Sequence, residues 1–464
     1  LVVLVADHGE SLGEHKENTH GIFIYDTTVR VPLILRYPGL PQGMVSSHPV
    51  KTLDILPTVL EMLNIPPPQG LEGESLLNHL GRLEPDQRKE AAIFLETRFP
   101  EINFGWSRLQ GIRNRRWKYI QAPRPELYDL EKDPQERYNV INQYPQQVRS
   151  LREILRSFTE THPPVSRSLY TPMDRTTRER LQSLGYVWAD SSKPLLGHEK
   201  DPKDMIEVLN LFDEGSRLYT EERYSEAISF FRRVVQKNPE NILARFLLAS
   251  AQKKVGRLEE AIEEFQQVAA LNPRFINVHN CLGNIYEEMA EYEKAALEYR
   301  MDMKLHPQVP LSYNNLGGVY LKQGRYQEAQ EQFEKVLLLE PDRTTRIVTH
   351  SNLGIAWEMM GLYDRAQQAY QSSLDLDPDY LPARMGLGNI FLKKNQMDRA
   401  VREWQKALDI FPQNAEAHFN LGCTFLGMRR MTEAVDHLQE AIRLQPNLLQ
   451  ARVLLQRIQT QGQL

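Results

Sequence analysis

Apolar and polar positions change their period several times along the chain. It opens on six consecutive apolar residues, Leu1–Ala6. Such a run predicts a strand buried on both faces, the mark of a parallel sheet in an α/β fold. Residues 51–65, KTLDILPTVLEMLNI, instead space Leu53, Leu56, Leu60 and Leu63 three or four apart, which predicts an amphipathic helix. Asp54 and Pro57 read there as cap and first-turn residues, not as reacting groups. In GIRNRRWKYI (111–120) basic residues interleave with apolar ones along a predicted strand. Arg113, Arg115, Arg116 and Lys118 then form either an anion site or a solvated strand face. Residues 161–203 are rich in Pro, Ser and charge, with one short helical stretch, TRERLQSLGYVW. They read as a packing segment and linker, after which Asp201-Pro202 or Asp204 starts a helix.

From 204 onward the helical period is organised at a longer beat. Pro239, Pro273, Pro307, Pro341, Pro378, Pro412 and Pro446 recur at steps of 34, 34, 34, 37, 34 and 34 residues. Ala227, Ala261, Ala295, Ala329, Ala366, Ala400 and Ala434 keep the same register. Leu-Gly pairs fall between them, at Gly283, Gly317, Gly354, Gly388 and Gly422. This is the tetratricopeptide (TPR) pattern: antiparallel helix pairs that touch at small residues and end at Pro. Seven repeats and a C-terminal cap are predicted over 204–464. Because each repeat touches only its neighbours, that region is expected to fold alone. The step of 37 predicts a longer connection or an extra first-helix turn after Pro341. Asn315, Asn352 and Asn420 share one first-helix position, interrupted by Cys281 and Gly386. They could hydrogen-bond an extended peptide in the groove, or simply be solvated.

Composition narrows the classes. Lys and Arg number 56 against 61 Asp and Glu, a net charge of −5, so nucleic acid is not an expected partner. Hydrophobic content of 41% is enough for cores and excludes a disordered chain. Cys281 and Cys423 fall inside helical repeats and read as small core residues, not as a disulfide framework. No apolar run approaches a membrane-spanning length, so no transmembrane segment is predicted.

The chemistry gathers just after the first strand. In ADHGESLGEHKENTH, Asp7 and His8 lie at the carboxyl end of that strand, where α/β sheets collect ligands. A carboxylate beside an imidazole can ligate one divalent cation, and Gly9 would let the backbone turn there. The triplet alone is equally an ordinary polar turn. The longer phrase ADHGESLGEH…THG…Y…VRVPLILRYPG resembles the sulfatase branch of the alkaline-phosphatase superfamily. So do KTLDILPTVLEMLNI, GLEGESLL (70–77), GIRNRRWKYI and ELYDLEKDPQERYNV (126–140).

The resemblance covers about residues 1–160 and implies the C-terminal portion of an α/β sulfatase-like catalytic domain, followed by the all-α solenoid. It implies Asp7 and His8 as ligands of one divalent metal ion, calcium first, with manganese or zinc possible. His20 is implied at the leaving group, with Lys16 as the alternative, and His15 keeps a surface or supporting role. His48, His79, His162 and His198 lie in no second-metal motif, so one metal is expected. The formylglycine motif, C/S-x-P-S/A-R, does not occur in these 464 residues. The chain opens inside a strand, so it is expected to be part of a longer protein whose nucleophile lies upstream. The expected function is metal-dependent sulfate-ester hydrolysis with a protein-binding TPR tail. The alternatives are phosphate or phosphonate ester hydrolysis, or a non-catalytic TPR scaffold. The resemblance also implies a periplasmic or other extracytoplasmic location.

Overall fold

The computed structural model describes residues 1–17, 20–46, 48–79, 92–162, 200–275 and 277–461. The predicted linker helix, and most of the predicted 161–203 segment, lie outside the described residues. The chain divides into two compact units, Leu1–Phe275 and Ile276–Leu464.

In the first unit, β1 (Val2–Val5) pairs antiparallel with β2 (Leu33–Arg36), Val2 facing Arg36 and Val5 facing Leu33. The pairing is antiparallel where the apolar run predicted a parallel neighbour. Among the described residues β2 alone pairs with β1, and Val2, Leu4 and Ile34 remain exposed. An apolar run supplies the means of burial but not the layer that covers it. Between the two strands lies a short helix, α1 (Asp26–Val29). The predicted 51–65 helix is shorter: a 3-10 turn over Thr52–Asp54 leads into α2 (Ile55–Met62). Its Leu53, Leu56 and Leu63 are exposed. Asp54 precedes α2, but its side chain caps no N–H of that helix; it accepts the N–H groups of Lys51 (2.9 Å) and Glu74 (3.0 Å) instead.

A four-stranded antiparallel sheet follows in the order β3 (Ile93–Thr97), β4 (Leu109–Arg113), β5 (Trp117–Gln121), β6 (Glu126–Asp129). Helix α3 (Phe99–Phe104) links its first two strands, and α4 (Pro145–Thr161) comes after it. The two-residue period sorts β5 onto two cores. Trp117 and Tyr119 join Ile112 and Leu127 beneath Val148, Leu151 and Leu155 of α4. Ile120 instead joins Tyr128, Leu109 and the segment Ile22–Tyr25 on the opposite face.

That second core runs without a break into the first repeats. Helices α5 (Ile206–Thr220), α6 (Tyr224–Lys237) and α7 (Ile242–Lys254) share it, while α8 (Leu258–Leu271) completes the second pair. Phe104 stacks on Trp106 with centroids 4.4 Å apart and meets Phe212 of α5 edge-on at 5.2 Å. Asn238 donates to the Phe104 carbonyl (3.0 Å), and the Ser107 N–H donates to Lys200 (2.9 Å). The compact division therefore falls after the second helix pair, whereas the sequence suggested a boundary at 203/204. A fragment cut at 204 would lose the aromatic partners of α5, Phe104 and Trp106. Asp201 caps the turn Pro202–Asp204 ahead of α5, accepting from the Lys203 N–H.

The second unit holds α9 (Val278–Glu288), α10 (Tyr292–Leu305), α11 (Pro310–Lys322), α12 (Tyr326–Leu338), α13 (Arg343–Met359) and α14 (Tyr363–Leu376). Then come α15 (Leu381–Lys393), α16 (Met397–Ile410), α17 (Ala415–Gly427), α18 (Met431–Leu444) and a final α19 (Leu449–Gln461). Consecutive helices pair, and all seven register alanines are fully buried. The step of 37 resolves as an extra helical turn: α13 has 17 residues where α11 and α15 have 13.

The glycines mark how closely paired helices approach. A Cβ at Gly317 would lie 2.5 Å from the Phe333 ring, and one at Gly354 would lie 2.5 Å from Tyr370. Gly318, next in the chain, has open space around it. Gly317→Ala is therefore expected to destabilise the solenoid by about 1–3 kcal/mol through overpacking. Gly318→Ala should be neutral or stabilising by up to about 1 kcal/mol, because only helix propensity changes. Urea unfolding followed by circular dichroism compares the two; equal effects would refute the close-contact explanation.

Candidate functional site

The strand β1 ends at Val5 and delivers Asp7 and His8 onto a loop that contacts from Ser11, His15, Glu17 and Thr28 hold in place. The Gly9 N–H donates to the Thr28 carbonyl (2.8 Å), and a Cβ at Gly9 would collide with the Thr27 carbonyl. Glycine is needed here for close approach, since its φ is not in the left-handed region. Ser11 bonds the Glu14 carbonyl at 2.9 Å, and His15 stacks on Tyr25 with centroids 3.6 Å apart. His15 and Lys16 both have positive φ, at 53° and 66°. Glu17 is buried and accepts the N–H groups of Ile22 (2.9 Å) and Phe23 (3.4 Å).

This loop brings His20 back to His8. Their rings stack with centroids 3.8 Å apart, tilted by 24°. Glu10 Oε2 lies 3.0 Å from His20 Nδ1, and ligand atoms of His8, Glu10 and His20 all fall within 4.8 Å of one another. Asp7 is exposed, with Oδ2 3.7 Å from His8 Nε2. His8 Nδ1 lies 2.9 Å from the Gly9 carbonyl, which can only accept. The hydrogen therefore sits on Nδ1, and the Nε2 lone pair is left on the Asp7 side. An imidazole nitrogen and a carboxylate oxygen presented together suit a divalent cation, so Asp7 and His8 fit the metal that the resemblance implies. Lys16 is exposed on the adjoining 3-10 turn, Glu14–Lys16; His20 is the residue stacked on His8. Glu10 was not singled out from the sequence. Its spacing, two residues beyond a candidate ligand, was the available signal.

The basic strand residues form neither an anion site nor a solvated face. Lys118 is fully buried, its ammonium 2.9 Å from Asp26 Oδ1 and 2.7 Å from Glu136 Oε1. Arg113, its cross-strand neighbour, reaches Asp26 Oδ2 at 3.1 Å, and Arg116 pairs with Asp129 at 3.0 Å. Arg115 alone of the four is exposed. Like charges opposite each other on two strands repel, and Asp26 lies between them as the common counter-ion. Burial raises the pKa of Asp26, but Lys118 and Arg113 outweigh it and hold the carboxyl well below the usual range. Sequence periodicity could not reveal this, because Asp26, at the start of α1, and Glu136 lie far from Lys118 along the chain.

The asparagines of the second unit contact one another across repeats. Asn315 Nδ2 reaches Asn284 Oδ1 (3.3 Å) and Asn280 Oδ1 (3.4 Å), and Asn420 Nδ2 reaches Asn389 Oδ1 (3.4 Å). Asn352 is half-buried. Asn280 and Asn284 thus bridge the interruption that Cys281 makes. Cys281 and Cys423 are both half-buried, and neither is in a disulfide.

The first part of the chain is similar to the C-terminal region of a sulfatase, and tetratricopeptide repeats follow it. Residues 13–161 match the family model for the C-terminal region of N-sulphoglucosamine sulphohydrolase. Tetratricopeptide models match residues 218–285, 308–379, 388–428 and 415–448. Arylsulfatase K of Danio rerio is 30% identical over 210 residues, covering 44% of this chain and 39% of that protein. The Homo sapiens protein of the same name is 29% identical over 231 residues, covering 48% and 42%. The chain thus spans about two-fifths of the length of these curated relatives. A tetratricopeptide repeat protein from Parabacteroides merdae superposes with a TM-score of 0.46 at 18% identity, covering 54% of this chain and 98% of that one.

Two tests probe the packing beneath the site. Lys118→Met strands Glu136 as a buried carboxylate, leaves Asp26 with Arg113 alone, and should cost about 3–5 kcal/mol in denaturant unfolding; a loss under about 1 kcal/mol would contradict the buried triad. Glu17 gives a pH signature. Burial pushes its pKa up to about 7, the Ile22 and Phe23 N–H groups oppose the rise, and the Asp213 and Glu10 carboxylates add to it. The folded chain therefore holds this proton more tightly than the unfolded chain. Its contribution is full below the ordinary value of 4.5 and is lost as pH rises through about 7. Stability should fall by about 2–3 kcal/mol across that window, and Glu17→Gln should flatten the slope in melts recorded at several pH values.

Proposed function

We propose that residues 1–162 supply one wall of a sulfate-ester hydrolase site, and that the repeats dock a protein partner. The observation that carries the reading is the return of His20 onto His8 at the end of β1. It is supported by the match of residues 13–161 to a sulfatase C-terminal region; that match includes His20 but begins after Asp7 and His8.

Asp7 Oδ2 and His8 Nε2 would hold one divalent cation, calcium by resemblance and manganese or zinc by donor type. When bound, that ion would polarise the ester oxygens. His20 would hold a proton for the departing oxygen, and Glu10 at its Nδ1 would orient the ring so that Nε2 faces the substrate. The loop anchors Glu17 and His15 would keep these groups in register. In the solenoid, Asn315, Asn352 and Asn420 would offer amides to an extended peptide in the groove.

The test uses the full-length protein. Asp7→Ala and His8→Ala should each lower bound metal and turnover of an aryl sulfate together. His20→Ala should lower turnover by about 10²-fold or more with bound metal retained. Unchanged metal content in both ligand variants would sink the ligand assignment. Faster turnover of an aryl phosphate than of the sulfate would favour the phosphoryl-transferring reading instead.

A further inference from the structure

One cross-helix position of the solenoid carries the same kind of contact in repeat after repeat. A first-helix residue faces a second-helix residue nineteen positions later. Arg245 meets Glu264 at 2.6 Å, His279 meets Glu298 at 2.7 Å, and Arg384 meets Glu403 at 3.0 Å. Each is a cation or imidazole against a carboxylate. In the fourth repeat the position holds Tyr313 and Gln332, and in the seventh it holds His418 and His437. The seventh has no carboxylate in the pair. Its two Nδ1 atoms lie 2.9 Å apart between α17 and α18.

The first-helix residue makes a second recurring contact, to the carbonyl of the proline six positions earlier. Arg245 donates to Pro239 (2.8 Å), Tyr313 to Pro307 (3.2 Å), and Arg384 to Pro378. His418 Nε2 follows them, 3.2 Å from the Pro412 carbonyl. A carbonyl only accepts, so the hydrogen of neutral His418 is on Nε2 and the lone pair is on Nδ1, aimed at His437. Histidines that bind metals are held in this way, the distal N–H spent on a carbonyl or carboxylate. On its other side His437 stacks against Phe425, with centroids 5.5 Å apart.

We propose that His418 and His437 form a two-histidine chelate for a divalent transition ion such as zinc, stapling the last helix pair of the solenoid. Two imidazole nitrogens select zinc, nickel or copper over calcium or magnesium. Tetrahedral zinc with nitrogens about 2.05 Å away sets its ligands about 3.4 Å apart. The pair must open by about half an ångström from 2.9 Å, which small rotations of two half-buried rings can supply. Glu433 and Glu440 flank His437 along α18, each paired with an arginine, Arg430 and Arg443. Water completes the coordination. This site shares no residue with the loop of His8 and His20.

Calorimetric zinc titration of the whole chain, freed of metal beforehand, is the test. His418→Ala and His437→Ala should each remove one zinc equivalent or weaken it about tenfold or more. The exchange His418→Tyr with His437→Gln imports the pair the fourth repeat already accommodates. It should melt like the wild type without zinc and lose the zinc-dependent rise in melting temperature. His8→Ala should leave this equivalent intact, so failure of the proposed hydrolase site and failure of the staple can be told apart. Undiminished zinc binding in the Tyr/Gln exchange would overturn the proposal and leave His418–His437 as a simple N–H···N hydrogen bond.

Discussion

The first unit depends most on the larger of its two apolar cores, which begins on one face of the four-stranded sheet and ends inside the second helix pair. Phe104 and Trp106 are its pivot, stacked on each other and meeting Phe212. Around them, the polar contacts from Asn238 to Phe104, from Ser107 to Lys200 and from Arg124 to Asp201 satisfy backbone groups that this burial would otherwise strand. The consequence is functional. The helices nearest the sulfatase-like segment spend part of their apolar surface on it, so they act as structure before they can act as a docking surface. Ile22–Tyr25, the stretch that follows His20, belongs to the same core. Packing of the repeats and placement of the candidate site are thus coupled through contiguous side chains.

The site loop shows how a polar segment becomes positioned without regular structure. Its backbone N–H groups are taken up by one buried carboxylate, Glu17, and by the Thr28 carbonyl, while His15 is fixed by stacking. Burying Glu17 is costly for the charged form, and the same is true of Asp213 on α5, whose pKa burial raises to about 6. Beneath the loop, Asp26 is shared by Lys118 and Arg113, so two strand cations become internal ties. Buried ion pairs of this kind add little net stability, but removing one member leaves an uncompensated charge. They fix α1 against the sheet more than they strengthen either.

Along the solenoid, close helix approach is set by glycine and alanine, and the remaining freedom goes to polar positions between paired helices. Arg–Glu, His–Glu, Tyr–Gln and His–His combinations all occupy this position, and Arg245, Tyr313, Arg384 and His418 each also reach a proline carbonyl. The scaffold thereby tolerates exchange at this position. That tolerance is what allows the last repeat to hold two imidazoles where others hold a charge pair, and the asparagine network of the inner helices is built in the same permissive way.

By itself the sequence determined the repeat architecture and its beat. Periodic glycine, alanine and proline encode contacts between neighbours in the chain, and such local contacts leave a periodic trace. It also determined the resemblance over the first part of the chain and offered Asp7, His8 and His20 as candidates, of which the fold gathers His8 and His20 with Glu10, a residue the sequence had not singled out. Tertiary structure alone decided which residues meet across long separations. Lys118 finds Asp26 and Glu136, Phe104 finds Phe212, and Asn238 finds a carbonyl 134 residues away. It also decided that β1 lies exposed beside β2, that the Leu53–Leu63 stripe faces water, and that the compact unit ends at Phe275. The physical reason is the same in each case. A residue's pattern states what it can bury or pair with, and only the folded chain supplies the partner.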